Sequence, residues 1–313
     1  MITAGACIVT RDRTQSLSKC LDCLLVQSRP FDMIVVVDNS TTGATKELIA
    51  SQYPSILYIH YDGPLGSMPV QRNIGIQACP TDIICFTDDD GYADRNWLAE
   101  VLSTYAGHTD AGAVGGRILQ GEAATTKDPT AVGRYSSTQW SHGTFNMDLD
   151  EVASVTHLQG TNMTFRRDLL QQKGGFDEVL AHGYASFEEC DACLSIKSAG
   201  YNVLYNSHAI VTHGLEPRKK GLPRDIGASP RLAFSFARNG AYVHLKHRGR
   251  RLKDVAALVA AVPLINIMRC IWPNTRNGRK IRATPSRICA AAAVAFGILA
   301  GVVCWVKVRN SRI

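Results

Sequence analysis

Up to about residue 215, short and wholly apolar runs alternate with longer stretches whose apolar residues recur every three or four positions. Residues 4–10 (AGACIVT) are small and β-branched and predict a strand. Over 14–27, Leu17, Leu21, Leu24 and Leu25 keep helical spacing and predict a helix. MIVVVD (33–38) reads as a second strand, TTGATKELIA opens a helix, and ILYIH (56–60) is a third strand. PVQRNIGIQA (69–78) is helical, DIICFTDDD (82–90) a strand, NWLAEVLSTY (96–105) an amphipathic helix, and AGAVGGRIL another strand. Strands apolar on both faces, alternating with helices, predict an α/β fold with a mainly parallel sheet covered on both sides. Ligands of such sheets sit beyond the carboxyl ends of the strands. Thr10, Asp38 and the triplet Asp88, Asp89 and Asp90 all fall at that edge.

The pattern changes near residue 215, so the expected division is a 1–215 domain and a 216–313 helical region. Residues 229–247 suit a helix, 254–272 is apolar but broken by Pro263 and Arg269, and Ile288 to Val306 carries no charge. Residues 121–150 have no clear period and read as partly irregular; no internal repeat is present. Apolar residues make up 45% and charged residues 19% of the chain, which fits a globular protein with a real core and excludes general disorder. The net charge of +7 conceals an asymmetry. From Arg218 onward there are twenty Lys/Arg against two acids, Asp225 and Asp254, a net of +18, whereas the preceding residues sum to −11. A basic part of this kind faces either nucleic acid or anionic lipid. The uncharged run at 288–306 has no role on a nucleic acid, so the membrane surface is the expected partner.

Met1-Ile2-Thr3 leads straight into a strand without a basic leader, and several of the ten cysteines lie in apolar runs. Reduced thiols and a cytoplasmic enzyme domain are therefore expected. The pairs Cys20–Cys23 and Cys190–Cys193 lie in helix-like stretches without the turn glycines of a zinc knuckle.

The sharpest chemical feature is Phe86-Thr87-Asp88-Asp89-Asp90. Three like charges at a strand end repel unless a cation or hydrogen-bond donors offset them. A hard divalent ion, Mg²⁺ or Mn²⁺, would do so and could bridge to substrate phosphates. The alternative is a solvated acidic turn helped by Gly91. Asp88 and Asp90, two apart, would share one side if the segment stays extended.

Six motifs then occur in order: CIVTRDR, VVVDNSTTGAT, VQRNIGI, FTDDD, HLQGTNMTFRRDLLQQKGGFDE and FEECDACLSIKSAGY. Together they resemble, over about residues 4–215, family 2 glycosyltransferases of the GT-A fold, of the bacterial cell-surface polysaccharide type. The resemblance implies a nucleotide-diphospho-sugar donor (UDP, dTDP or GDP) and transfer of a hexosyl or deoxyhexosyl group with Mn²⁺ or Mg²⁺. It also implies a glycan or lipid-linked acceptor at the cytoplasmic face of the membrane.

By the same resemblance Thr10 and Asp38 would line the base pocket, with Arg72 near the base or diphosphate. Asp38 also suits a turn before Asn39-Ser40, and Arg72 a helix surface. Asp90 would bind the metal, Asp88 and Asp89 would serve the nucleotide or the ion, and His213 would join the metal. Asn162, Asp177, Glu188 and Asp191 would face the acceptor. Glu188, Glu189 and Asp191 open a helix, where acids also offset the dipole; Glu189 aligns with the family's proposed general base and inversion at the anomeric carbon would follow. Two departures stand out: Glu189 replaces an Asp, and Phe187 replaces a Gly.

The run at 288–306 would span about 28 Å as a helix, just enough for a bilayer core, and contains Gly297 and Gly301 as a GxxxG pair suited to close helix contact. A transmembrane span, an interfacial helix and a helix packed on protein all fit. Arg276, Arg279, Lys280, Arg282 and Arg287 would suit anionic headgroups. Rival functions include a dehydrogenase, which the turn Thr10-Arg11-Asp12-Arg13 opposes because it lacks GxGxxG. A catalytically silent nucleotide-sugar or glycan-binding module is the other.

Overall fold

The computed structural model describes residues 2–64, 67–120, 127–136, 140–181, 186–214, 229–248, 275–276, 279–280 and 285–310. The segment 254–272 lies outside them. By internal packing the chain forms two compact units. The first comprises Met1–Tyr135, Ser141–Glu178 and Glu188–Pro217; the second, Ser136–Trp140, Val179–Phe187 and Arg218–Ile313.

The first unit alternates strands and helices much as the apolar pattern predicts. In chain order these are β1 (Ala4–Thr10), α1 (Thr14–Leu25), β2 (Met33–Asp38), α2 (Ala44–Gln52), β3 (Leu57–His60) and α3 (Met68–Ala78). β4 (Ile83–Asp88), β5 (Gly91–Ala93), α4 (Trp97–Gly107) and β6 (Ala111–Leu119) continue the series. Then come β7 (Arg134–Ser136), β8 (Trp140–His142), β9 (Ala153–Ser154), β10 (Met163–Arg166), α5 (Arg167–Gln172), α6 (Glu188–Ser198) and β11 (Asn202–His213).

The main sheet runs β3-β2-β1-β4-β10-β6-β11-β5, with β9 added beside β11. Its long neighbours pair in parallel, whereas the short β10 enters antiparallel between β4 and β6. Alternate side chains feed two cores. Ala6, Ile8, Ile34, Val36, Ile83 and Cys85 meet Leu17 and Leu21 of α1 and Trp97 and Val101 of α4. Cys7, Val35, Val37, Ile84 and Phe86 meet Ile76 of α3, Phe176 and Ile196 of α6.

Close approaches set the site's scaffold. Gly75 lets α3 lie on β1, because a Cβ there would strike the Cys7 side chain. Asn206 pairs with Gly116 and Val211 with Ile118, so β11 advances five residues where β6 advances two. The extra residues form a bulge in β11. The Ala209 carbonyl oxygen then sits where a Cβ of Gly116 would stand. Past the bulge, β11 pairs antiparallel with β5 and brings His213 opposite Gly91.

The second unit contains α7 (Pro230–His247), the short strands β12 (Thr275–Arg276) and β13 (Arg279–Lys280), and α8 (Pro285–Asn310). Helix α7 starts with Ser229 capping Leu232 N and Pro230 in its first turn. Its Asn239 is buried and donates to Leu180 O at 3.2 Å and Ser186 O at 3.3 Å. Val179–Phe187 thus belongs with this unit, on the other side of the division expected at residue 215.

Gly116→Ala forces either the bulge or the strand pair to shift. The expected outcome in urea denaturation is a loss of about 1–3 kcal/mol, the usual cost of overpacking a tight site.

Candidate active site at the carboxyl edge of the sheet

Strand β4 ends at Asp88, and Asp89 and Asp90 form a turn into β5. The extended continuation through Asp90 expected from the sequence is therefore replaced by a turn. Gly91 permits it, since a Cβ there would meet the Thr87 hydroxyl and the Asp88 carbonyl. The turn still aims Asp88 and Asp90 at one point. His213 Nε2 lies 3.3 Å from Asp90 Oδ1 and 4.0 Å from Asp88 Oδ2. One ligand atom from each of Asp88, Asp90 and His213 falls within 4.8 Å of the others. Thr161 donates to Asp88 Oδ2 at 2.6 Å and Gly214 N to Asp90 O at 2.7 Å, which fixes both residues.

Asp89 points inward and is 4% exposed. Its carboxylate accepts from Thr10 Oγ1 at 2.7 Å and from Arg13 Nη1 at 2.6 Å, while Arg13 Nη2 donates to Asp90 Oδ2 at 2.6 Å. Arg13 thus bridges two members of the triplet. The sequence reading did not single it out, although its place in the turn after β1, at the ligand edge, was a usable signal.

Burial pushes Asp89 up to about 7 even with Arg13 and Thr10 beside it. Burial also opposes ionisation of Asp90, yet His213 and Arg13 hold it below the usual carboxylate range. The hydrogen bond to Asp90 raises His213 against its burial. His213 Nδ1 is buried with no hydrogen-bond partner among the described residues.

Arg72 is buried and joins the two ends of the site. Its Nη1 donates to Glu188 Oε1 at 3.2 Å and its Nη2 lies 3.9 Å from Asp88 Oδ1. The guanidinium sits 5.4 Å from the Phe176 ring centroid, and a Cβ at Gly160 would meet Nη2. At the start of α6, Glu188 Oε2 and Glu189 Oε2 are buried with no hydrogen-bond partner among the described residues. Burial, and then the charge of Glu188, raise Glu189 to about 8. The residue before this helix, Phe187, has φ +69°, which explains why glycine suits that position.

Other expected site residues are placed differently. Asp38 is fully buried, its Oδ1 accepting from Ser40 N at 2.9 Å and its Oδ2 from Tyr58 OH at 2.9 Å. Its carboxylate is engaged in the turn after β2. Thr10 is used on Asp89. Asn162 is spent on the scaffold as well: Oδ1 accepts from Trp97 Nε1 at 2.9 Å, and Nδ2 donates to Arg117 O and Ala209 O. It anchors the β11 bulge. Asp191 is buried in α6. Asp177 is half-buried on the loop after α5, beside residues clamped by Asn73, which accepts from Phe176 N and donates to Phe176 O and Glu178 Oε1.

This strand order, with an acidic turn after β4 and a histidine delivered by β11, is the GT-A architecture of nucleotide-diphospho-sugar transferases. Residues 6–174 match glycosyl transferase family 2, and the chain belongs to that family. Over 221 residues it is 24% identical to the glucosyl-dolichyl phosphate glucuronosyltransferase of Haloferax volcanii, covering 68% of this chain and 69% of that one. The structure of GalNAc-T7 with UDP, GalNAc and Mn²⁺ superposes with a TM-score of 0.66 at 15% identity, over 83% of this chain and 51% of that one. The mannosyltransferase PcManGT from Pyrobaculum calidifontis, in complex with GDP-Man and Mn²⁺, superposes at 0.56 and 17% identity, over 99% and 79%. At these identities the solved structures carry the fold.

A carboxyl group raised on folding weakens the fold as pH climbs from its unfolded value of about 4 to its folded value. For Asp89 that window ends near 7. In EDTA, Asp89→Asn is expected to raise Tm at about pH 8 and to flatten the decline of Tm above about pH 5, measured by thermal circular dichroism.

Proposed function

We propose that this glycosyltransferase is an inverting, metal-dependent enzyme that moves a hexosyl or deoxyhexosyl group from a nucleotide-diphosphate donor to an acceptor hydroxyl. The convergence of Asp88, Asp90 and His213, tied through Arg72 to Glu188 beside Glu189, carries this reading. Two carboxylate oxygens and an imidazole nitrogen form a donor set that fits Mn²⁺ or Mg²⁺, and the partnerless carboxylate oxygens of α6 suit an acceptor hydroxyl. When bound, the ion would offset charge on the leaving diphosphate.

The chain's own groups supply the rest. Arg13 and Thr10 keep Asp89 turned inward, so Asp88 and Asp90 are left to the ligand side. Arg72 sets the Asp88 and Glu188 carboxyls at a fixed separation. Glu189 Oε2 takes the acceptor proton as the hydroxyl attacks the anomeric carbon from the face opposite the leaving group. A carboxylate raised toward neutrality is a stronger base than an ordinary one. The acceptor is read as a glycan or lipid-linked sugar at the cytoplasmic membrane face. A relative named for acting on glucosyl-dolichyl phosphate supports the lipid link.

Calorimetry with UDP, dTDP and GDP, each with Mn²⁺ and with EDTA, tests the donor site. One nucleotide is expected to bind only with metal, and Asp90→Ala to abolish that binding; binding of none overturns the reading.

Glu189→Gln is expected to lower turnover by about 10²–10⁴-fold while leaving nucleotide affinity intact. Because the base acts deprotonated, wild-type kcat/KM should rise with pH through the region of about 8, well above an ordinary carboxylate limb. Near-wild-type turnover in the variant removes Glu189 from the mechanism.

A further inference from the structure

Helix α8 has two unlike long faces. One is used inside the second unit. Ala290, Gly297, Ile298 and Gly301 are buried, and the glycines admit the α7 backbone. A Cβ at Gly297 would strike Phe234 O, and one at Gly301 would strike Arg238 O. The contacts advance together along both helices, from 297 to 301 and from 234 to 242, so α7 and α8 run parallel. Arg238 Nη2 also donates to Cys304 Sγ at 3.4 Å. The GxxxG surface read in the sequence therefore has its partner within the chain.

The opposite face is exposed and apolar over about three turns. Phe296, Leu299, Val303 and Val306 are 66%, 50%, 53% and 43% exposed, at spacings of three, four and three. Ala292 extends the same line. The described side chains carry no charge along it until Lys307 and Arg309 in the last turn, where Arg309 lies over Trp305. A stripe of this length facing water is a binding surface.

We propose that this stripe is a monotopic membrane anchor: α8 lies in the plane of an anionic bilayer surface with Phe296, Leu299, Val303 and Val306 in the acyl boundary. Length and composition alone would allow Ala292–Asn310, 19 residues with a mean hydropathy of 1.8, to cross a bilayer. The α7 contact argues against crossing. A crossing α8 would carry the packed stretch of α7 into hydrocarbon, with Arg238, buried Asn239 and the hydrogen bonds both make to Val179, Leu180 and Ser186. Charged and polar groups at that depth are costly. With its other face already covered by α7, α8 is left one exposed apolar stripe, which suits lying flat instead. Charge selects the lipid: the +18 excess of residues 218–313 complements anionic headgroups. A second copy of the chain would meet the same excess and be repelled. This inference stands apart from the transferase reading, since an inactive chain would bind equally.

The full-length protein, prepared without detergent, is sedimented with vesicles of mixed phosphatidylglycerol and phosphatidylcholine and with vesicles of phosphatidylcholine alone. Binding is expected for the anionic vesicles, weakening in high salt. The triple variant Phe296→Glu, Leu299→Glu, Val303→Glu should lose at least about tenfold in partitioning, with unchanged melting and nucleotide binding as the check on folding. In native membranes, alkaline carbonate should release the wild-type chain. Retention in the carbonate pellet would show a span and overturn the proposal. So would absence of binding to anionic vesicles, or a dimer that the triple variant dissociates.

Discussion

Three adjacent carboxylates at the end of one strand repel each other, and the first unit is arranged around keeping them there. Each has its own restraint. Thr161 holds Asp88, Thr10 and Arg13 hold Asp89, and Arg13 with His213 holds Asp90. The restraints come from β1, from the turn before α1, from the stretch before β10, and from the end of β11. No one of these elements can move without uncovering charge. The three acids are also unequal: the buried middle one belongs to the scaffold, and its neighbours stay with the histidine on the ligand side. The identical letters of the triplet conceal that division.

Much of the fold was legible because its core is periodic. Two apolar faces per strand and helices at regular spacing marked β1, β2, β3 and β6 almost to the residue, and β4 up to the turn that separates it from the unforeseen β5. The edge bearing Asp88 and Asp90 followed from those strand ends. What stayed hidden depends on long-range satisfaction of polar groups, which leaves no period. Asn162 reads like an acceptor contact, yet its partners Trp97, Arg117 and Ala209 are far off in sequence and use its whole amide. Asp38 is taken up by Ser40 and by Tyr58 on the neighbouring strand. The antiparallel insertion of β10 was concealed by its four residues, too few to show a pattern.

Phe187 shows local and global demands in conflict. The left-handed backbone there costs a residue with a side chain about 1–3 kcal/mol, and the ring recovers part of this by packing against Phe236 with centroids 4.7 Å apart. That contact ties the residue directly before the α6 acids to α7. A glycine would relax the backbone and lose the tie.

The bulge in β11 has a consequence for how this chain can change over evolution. Surface connections ordinarily absorb insertions and deletions. The stretch from Asn206 to Val211 looks like such a connection, yet Ala209 O accepts from Asn162 and Ile210 O accepts from Asp94 N, three residues before the imidazole that the strand must deliver. In a strand, one residue more or fewer turns every later side chain to the opposite face. Those few residues therefore work as a gauge of length: their identities are free to drift among side chains that fit, but their number is not.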